Sequence, residues 1–388
     1  MQKVLVTRRG ADRLRTGHPW IYRSDLETDP GRKVGSGEVV LVTDKRGQAL
    51  GTAFYSGPSK IALRILAPGA VEVDRAFFAT RLKSAIALRE RLYPGERTMR
   101  LVHGEADLLP GLVVDRYGDH LSLQTLVPAT EARKELICDL LEELLAPKGI
   151  VERNDGRVRE LEALPSLKGV IRGSYDGPIV YEEGAAKLRI DLLEGQKTGS
   201  FLDQRENHLL AGRYATGKTL DLFSYGGGFA LQLARNAQKT TAVEISAPAC
   251  ESIRENAKLS GLPELEVVEA NVFDWLRDEL ARGARYDTIV LDPPAFAKSK
   301  ASIAAALRGY KEVNLRAIQL LVPGGTLLTF TCSYHVGVDA FEALVQDAAK
   351  DAKRPLQVLE RRGAGRDHPV LLAAPETRYL KGLVVRAP

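Results

Sequence analysis

The sequence of 388 residues predicts an α/β protein: an open, mostly parallel sheet in the C-terminal half, preceded by a small β module and an α+β segment. Three observations predict it. From Leu220 onward, apolar β-type runs alternate with stretches of helical periodicity. The run Thr219-Leu220-Asp221-Leu222-Phe223-Ser224-Tyr225-Gly226-Gly227-Gly228-Phe229-Ala230 passes from a strand through three glycines into a helix. Short β-rich runs separated by Gly, Pro and Asp turns fill residues 1–66.

The chain is long enough for two or three domains, each burying its own core. With 44% hydrophobic and 27% charged residues it has an ordinary globular composition. No apolar run approaches the roughly 18 residues needed to span a bilayer, and Met1 to Arg9 has no signal-peptide core, so a cytoplasmic protein is expected. Cys138, Cys250 and Cys332 are too few and too scattered for a disulfide framework or a metal cluster, and no metal is expected. Net charge is +5, but residues 1–70 hold 12 Lys and Arg against 6 Asp and Glu, leaving residues 71–388 at −1. A basic appendage on a nearly neutral body suits a polyanion, whose phosphates shed counterions to cationic side chains.

In chain order, Val4-Leu5-Val6, Glu38 to Val42 and Ile61 to Ile65 read as strands of the first module. Arg8, Arg9, Arg13 and Arg15 lead into Gly17-His18-Pro19-Trp20-Ile21-Tyr22. Guanidiniums and rings in alternation suit RNA, although core packing is the expected role of Trp20 and Ile21. After the linker Ala67 to Ala70, Asp74 to Arg91 reads as a helix, Leu112 to Asp115 and Leu121 to Thr125 as paired strands, and Glu131 to Leu145 as an amphipathic helix. Cys138 in that helix reads as packing. His103, Glu105 and Asp107 read as a hydrogen-bonded loop in preference to metal ligands. Gly184 to Leu193 reads as a strand, and Asp203 or Ser200 as the cap of a helix running to Arg213. The expected domains are 1–70, 71–185 and 186–388.

In the last domain strands are predicted near 219–223, 240–244, 265–269, 287–291 and 325–331, with helices between and after them. Two late strands, Leu356 to Leu359 and Tyr379 to Val385, have no helix between them and should pair antiparallel at the sheet edge. That ending is typical of class I methyltransferases and unlike NAD-binding Rossmann domains. The glycine turn admits positive φ and close ligand approach, and the helix start offers unpaired N–H groups. Glu244 stands 18 residues after Gly226, near where doubly wound folds place the acid that grips ribose hydroxyls. An adenosine-containing ligand is therefore expected. The alternative is a plain βα turn followed by a surface glutamate.

Ligands of such sheets bind at the carboxyl ends of the strands. After the fourth strand comes Asp292-Pro293-Pro294-Ala295-Phe296-Ala297-Lys298, whose prolines stiffen the loop and leave Asp292 and Phe296 as polar and stacking elements. After the fifth comes Thr331-Cys332-Ser333-Tyr334-His335. A thiol is wanted for methylating carbon 5 of a pyrimidine, because that carbon becomes nucleophilic only when a thiolate adds to carbon 6. A carboxylic acid on the ring nitrogen would stabilise the adduct. Cys332 and Asp292 fit these roles, with a merely buried Cys332 as the alternative; Cys250 reads as packing.

At this point the sequence resembles the class I RNA cytosine-C5 methyltransferases of the ribosomal large-subunit RNA methyltransferase I family over nearly its whole length. The resemblance is carried by Gly17 to Tyr22, by His103 to Asp119, by Glu194-Gly195-Gln196-Lys197-Thr198-Gly199 with Leu202 to Asn207, and by Asp367-His368-Pro369-Val370 with Tyr379-Leu380-Lys381-Gly382. It implies a class I methyltransferase (Rossmann-like) domain behind a PUA-like RNA-binding β barrel and a central α+β domain. It implies S-adenosyl-L-methionine across the glycine turn, with Asp221, Phe223, Tyr225, Gly226 and Gly227 near the methionine end and Glu244 on the ribose. Thr198, Phe201, Asp203 and Arg205 would close over the donor, and Asn271 and Phe273 would flank the adenine. Family members often carry aspartate where Asn271 stands. Cys332 would be the nucleophile with Asp292 as its partner, since the loop after the fourth strand has no cysteine; Phe296 and Lys298 would meet the substrate base. The base that removes the carbon-5 proton is left open, with His335 a candidate for which a structural role is the expected one. Large-subunit (23S) ribosomal RNA is the implied substrate and a homodimer the implied assembly. Two rival readings remain: an RNA N-methyltransferase using the Asp-Pro-Pro loop, and a non-catalytic RNA-binding ribosome-assembly factor.

Overall fold

The computed structural model describes residues 1–195, 198–296 and 303–388. Lys298, with Gln196 and Lys197 of the Glu194 to Gly199 motif, lies outside the described residues. The chain divides into two compact units, Met1–Ile179 with Ile190–Leu202 and Arg366–Thr377, and Val180–Arg189 with Asp203–Gly365 and Arg378–Pro388.

The first unit begins with β1 (Gln2–Leu5), α1 (Arg8–Arg15), β2 (Trp20–Tyr22), β3 (Val39–Thr43), β4 (Ala49–Tyr55) and β5 (Ile61–Ala67). The strands form one sheet in the order β1-β3-β4-β5-β2, parallel only between β1 and β3. Val4, Ile21, Val40, Val42 and Leu63 fill its core. Ile21 is fully buried as expected, whereas Trp20 is half-buried and donates its indole N–H to Glu105 at 3.0 Å. The basic run 8–15 folds as a helix that β-type patterning did not announce. Thr7 caps it by accepting from the Gly10 amide, and Ala11 turns inward. Arg9 and Arg13 both pair with the fully buried Asp25, and Arg15 with Asp12 and Asp44, so part of the basic excess is neutralised inside the module.

The unit continues with α2 (Arg75–Leu92), β6 (Thr98–His103), β7 (Leu112–Tyr117), β8 (His120–Thr125), α3 (Pro128–Glu131), α4 (Lys134–Leu145), β9 (Gly149–Asn154) and β10 (Leu167–Gly173), the strands ordered β10-β9-β8-β7-β6. Asp74 caps α2 through the Phe77 amide. The helix expected over 131–145 is two, because Ala132 and Arg133 lie between the end of α3 and the start of α4. The loop after β6 is held by hydrogen bonds: Asp107 accepts two from Arg89, at 2.5 and 2.8 Å, and one from the His103 amide at 2.6 Å. Cys138 is buried, and burial pushes its thiol up to about 12, which fits packing.

The second unit opens on a hairpin of β11 (Ile179–Glu183) and β12 (Ala186–Ile190). The sequence predicts a strand beginning at Gly184, but Gly184 has φ +60° and makes the turn. Then follow α5 (Arg205–Tyr214), β13 (Lys218–Leu222), α6 (Gly228–Ala234), β14 (Lys239–Glu244), α7 (Ala247–Leu259), β15 (Glu266–Glu269), α8 (Val272–Ala281), β16 (Tyr286–Leu291), α9 (Ile303–Leu320), β17 (Leu321–Thr331), α10 (Val338–Asp351), β18 (Gln357–Arg362) and β19 (Lys381–Arg386). Gln204 occupies the cap position of α5 without a side-chain bond, so neither Ser200 nor Asp203 caps it. Strand order is β15-β14-β13-β16-β17-β19-β18. β19 runs antiparallel between β17 and β18, leaving β18 as the terminal strand. The order reverses between β13 and β16, which puts the crevice for a ligand at the carboxyl ends of those two strands and their neighbours. Leu220, Leu222, Val243, Ile289, Leu291 and Leu327 pack one face against α8, α9 and α10.

Candidate active site

The turn after β13 is strained at two side-chain-bearing residues. Phe223 has φ +64° and Tyr225 φ +49°, a region that residues with a Cβ rarely adopt, and Gly227 has φ +86°. Each glycine then has its own task. A Cβ on Gly226 would meet nothing within 4 Å, so this position faces open space; a Cβ on Gly228 would strike the His208 ring. Glu244, at the end of β14, locks the turn by accepting from the Tyr225 amide at 3.0 Å with one oxygen and from the Ile245 and Ser246 amides at 2.9 Å with the other.

Beneath the turn lies a buried group of charges. Asp221 accepts from the Ala230 amide at 3.0 Å through Oδ2, while its buried Oδ1 has no hydrogen-bond partner among the described residues. Burial, with the charge of Asp292 adding to it, pushes the Asp221 carboxyl up to about 7 against the pull of Ser224 and His208. His208 lies 2.6 Å from Glu183 and edge-on to Phe229 at 4.4 Å between centroids. Burial draws the imidazole down, but Glu183, with Asp292 and Asp221, outweighs it and the net shift is upward. Asp292 thus belongs electrostatically to the group of Asp221 and His208.

Asp292 follows β16, half-buried, and its amide approaches the Leu222 carbonyl at the end of β13. Phe296 lies 6.2 Å from Phe223 and 6.0 Å from Phe273 between centroids, and 4.5 Å from Tyr310 of α9. Phe223 and Phe273 are themselves 6.5 Å apart, so the turn after β13, the start of α8 and the loop after β16 share one aromatic cluster. Asn271 caps α8, its side-chain oxygen accepting from the Phe273 amide at 2.9 Å. Arg205 is buried at the start of α5, and Asp203 accepts the Tyr379 hydroxyl at 2.7 Å.

Cys332 follows β17, half-exposed and packed at the border of a cluster formed by Phe229, Phe330 and Leu380. Ser333 next to it is fully buried and holds the Tyr310 hydroxyl at 2.7 Å. Lys381, the first residue of β19, is buried and donates to the Ser333 carbonyl at 2.8 Å. His335 packs its ring edge-on to Tyr334. Cys250 is buried in α7 and its thiol is raised by burial, which fits packing. Thr198 and Phe201 belong to the first unit, where the buried Thr198 hydroxyl donates to Asp115, itself clamped by two Arg100 contacts of 2.8 Å.

Sequence reasoning missed Glu183, His208, Tyr310 and Lys381. Lys381 stood inside the quoted motif Tyr379 to Gly382, and His208 directly follows the motif Leu202 to Asn207. A polar residue beginning an apolar strand was the available signal for Lys381.

Residues 4–68 match the model of a PUA-like domain and residues 161–386 that of an S-adenosylmethionine-dependent methyltransferase. The chain is therefore an S-adenosylmethionine-dependent methyltransferase. It is 41% identical over 379 residues to the ribosomal RNA large subunit methyltransferase I of Tolumonas auensis and 42% identical over 379 residues to that of Aeromonas hydrophila, each time covering 95% of both chains. It belongs to the ribosomal RNA large subunit methyltransferase I family. In fold it is similar to an S-adenosylmethionine-dependent methyltransferase from Streptococcus mutans, with a TM-score of 0.84 at 21% identity over the whole of both chains. A methyltransferase solved with SAH superposes with a TM-score of 0.86, again at 21% identity over the whole of both chains.

The residues at the turn fit this cofactor. An unpartnered buried oxygen of Asp221 suits a cationic amine, the open side of Gly226 admits close approach, and Glu244 retains lone pairs for hydroxyl donors. Among the described residues no helix is long and apolar enough to cross a membrane.

Proposed function

We propose that the chain methylates carbon 5 of a cytosine in large-subunit (23S) ribosomal RNA, in the cytoplasm, through a covalent Cys332 adduct. The observation that supports this reading is the pairing of two strand ends: Asp292 follows β16 and Cys332 follows the adjacent β17, beside the turn that β13 presents. The names of the relatives support the RNA, and the PUA-like module with its excess of cations supports how it is held.

In this reading Asp221, Phe223, Tyr225, Gly226, Gly227 and Glu244 hold the donor, with Asn271 and Phe273 at its adenine. Thr198, Phe201, Asp203 and Arg205 serve the same ligand. The cofactor supplies an electrophilic methyl group on a sulfonium. The target base is turned out of its stack toward Phe296 and Lys298. The Cys332 thiolate forms a bond to carbon 6, the ring's π pair moves toward the ring nitrogen, and Asp292 supports that nitrogen by a hydrogen bond. Once carbon 5 is methylated, a base takes its proton and the carbon–sulfur bond breaks, returning the thiolate.

The test is to incubate unmodified ribosomal RNA with labelled donor and map the methylated position, with Cys332→Ala in parallel. Loss of 5-methylcytosine in the variant is expected. Undiminished carbon-5 methylation sinks the thiolate mechanism, an N-methylated product favours the Asp-Pro-Pro loop as an amino-methylating site, and RNA binding without donor binding favours an assembly factor. Sedimentation of the full chain reads the proposed homodimer.

A further inference from the structure

We infer that Lys381 activates Cys332 by taking its proton and holding the resulting thiolate as an ion pair. The inference rests on Cys332 being the nucleophile, and it assigns a positioning residue to that reading.

Three geometrical facts carry it. Lys381 lies opposite Thr331 in the antiparallel register of β17 and β19, one residue from Cys332. Its side chain runs on past that pairing, and Nζ donates to the carbonyl of Ser333 at 2.8 Å. The turn bearing the thiol is thus bracketed on both sides of Cys332 by a single lysine. Finally, Lys381 is 5% exposed, a burial that lysine rarely accepts without a charge to answer it. The Ser333 carbonyl satisfies one of its three donors and brings no full charge.

Electrostatics agree with the placement. Burial lowers the Lys381 amine to about 8, and the charge that works against this fall is that of Cys332. By reciprocity the ammonium favours the thiolate. The transfer balances: the thiol loses its proton to the neutral amine, and a neutral pair becomes an ion pair with no net change in charge. From α9, Tyr310 faces the same turn as a neutral phenol, since burial raises it and the thiolate raises it further. On the residues before β19, the Tyr379 hydroxyl is directed to Asp203.

The experiment reads Cys332 chemically, without methylation. The full chain is alkylated with iodoacetamide from pH 6 to 9, and the rate at Cys332 is followed by peptide mass spectrometry, apart from the buried Cys138 and Cys250. Wild type should show a midpoint clearly below the ~8.5 of a free thiol. Lys381→Gln, which keeps a donor without charge, should move the midpoint up by about one unit and slow labelling at pH 7 about tenfold. Lys381→Arg keeps the cation for the ion pair while the thiol's proton goes to water, and should show a midpoint at or below that of wild type. Superposable profiles for all three, or equal shifts in the Gln and Arg variants, overturn the inference. Should the Gln variant fail to fold, a wild-type midpoint at or above ~8.5 overturns it alone. Failure of the nucleophile reading is seen separately, as methylation that survives Cys332→Ala.

Discussion

The Tyr310 hydroxyl lies 2.7 Å from the Ser333 hydroxyl, joining the middle of α9 to the turn that carries Cys332. The same phenol oxygen accepts from the Phe296 amide at 3.3 Å and donates to the Pro294 carbonyl at 3.3 Å. One buried oxygen therefore ties the loop after β16 to the turn after β17, and with them Asp292 to Cys332. Tyr310→Phe keeps the ring and removes the tie. A stability loss of about 1–3 kcal/mol is expected, since Ser333 stays buried with one partner fewer. Methylation of RNA should fall while donor affinity, measured by calorimetry, holds; an unchanged kcat would show that the two loops are positioned without Tyr310.

Neighbouring glycines of the turn should respond differently to the same methyl group. Gly228→Ala drives a Cβ into the His208 ring, which cannot swing aside because Glu183 holds it at 2.6 Å. Overpacking of this kind destabilises by about 1–3 kcal/mol, so thermal denaturation should come several degrees earlier. Gly226→Ala meets open space and should leave the melting temperature alone while weakening donor binding. Equal melting losses in the two variants would remove the distinction.

Much of this was legible because the signals are local. The glycine turn, the acid at the end of β14 and the two late strands without a helix between them predict a class of sheet and the ligand it takes, and the late strands pair antiparallel at the sheet edge as expected. Cys332 and Asp292 were legible as candidates because each follows an apolar strand directly. The cations of α1 were harder to read, since clustered arginines look the same whether they face a polyanion or the buried Asp25 later in the module. The contacts of Lys381 and Tyr310 were not legible for a different reason. Each acts on a turn that arrives through sheet register, from 48 residues away for Lys381 and 23 for Tyr310, and no pattern within one segment encodes such a meeting.

Glu244 is the turn's clamp as well as the proposed ribose ligand. Its carboxylate accepts three backbone amides at 2.9–3.0 Å, bonds to a charged acceptor worth about 1.5–3 kcal/mol apiece at most. Glu244→Ala should therefore loosen the strained Tyr225 position and weaken S-adenosylmethionine binding at least tenfold by calorimetry. RNA affinity by filter binding should stay within a factor of about two, because charge-dominated phosphate contacts are made elsewhere. A parallel loss of both affinities would place Glu244 in general stability.

Asp221 gives a pH signature with a definite sign. Burial raises its carboxyl to about 7 in the folded protein, against ~3.9 in an unfolded chain. Between these values the folded state holds a proton that the unfolded state has released, so stability falls as pH rises from about 4 and levels off above about 7. Asp221→Asn preserves an acceptor for the Ala230 amide and has nothing to titrate. Melting temperatures of the two proteins, taken without ligand from pH 5 to 8, should therefore diverge in favour of the variant up to about pH 7 and then run parallel. The order reverses with donor present, since a cationic amine beside Oδ1 favours the carboxylate and wild type alone can supply it. Parallel curves across the whole range would show that burial does not raise the Asp221 carboxyl, and a variant that binds donor as wild type does would show that Asp221 takes no part in binding.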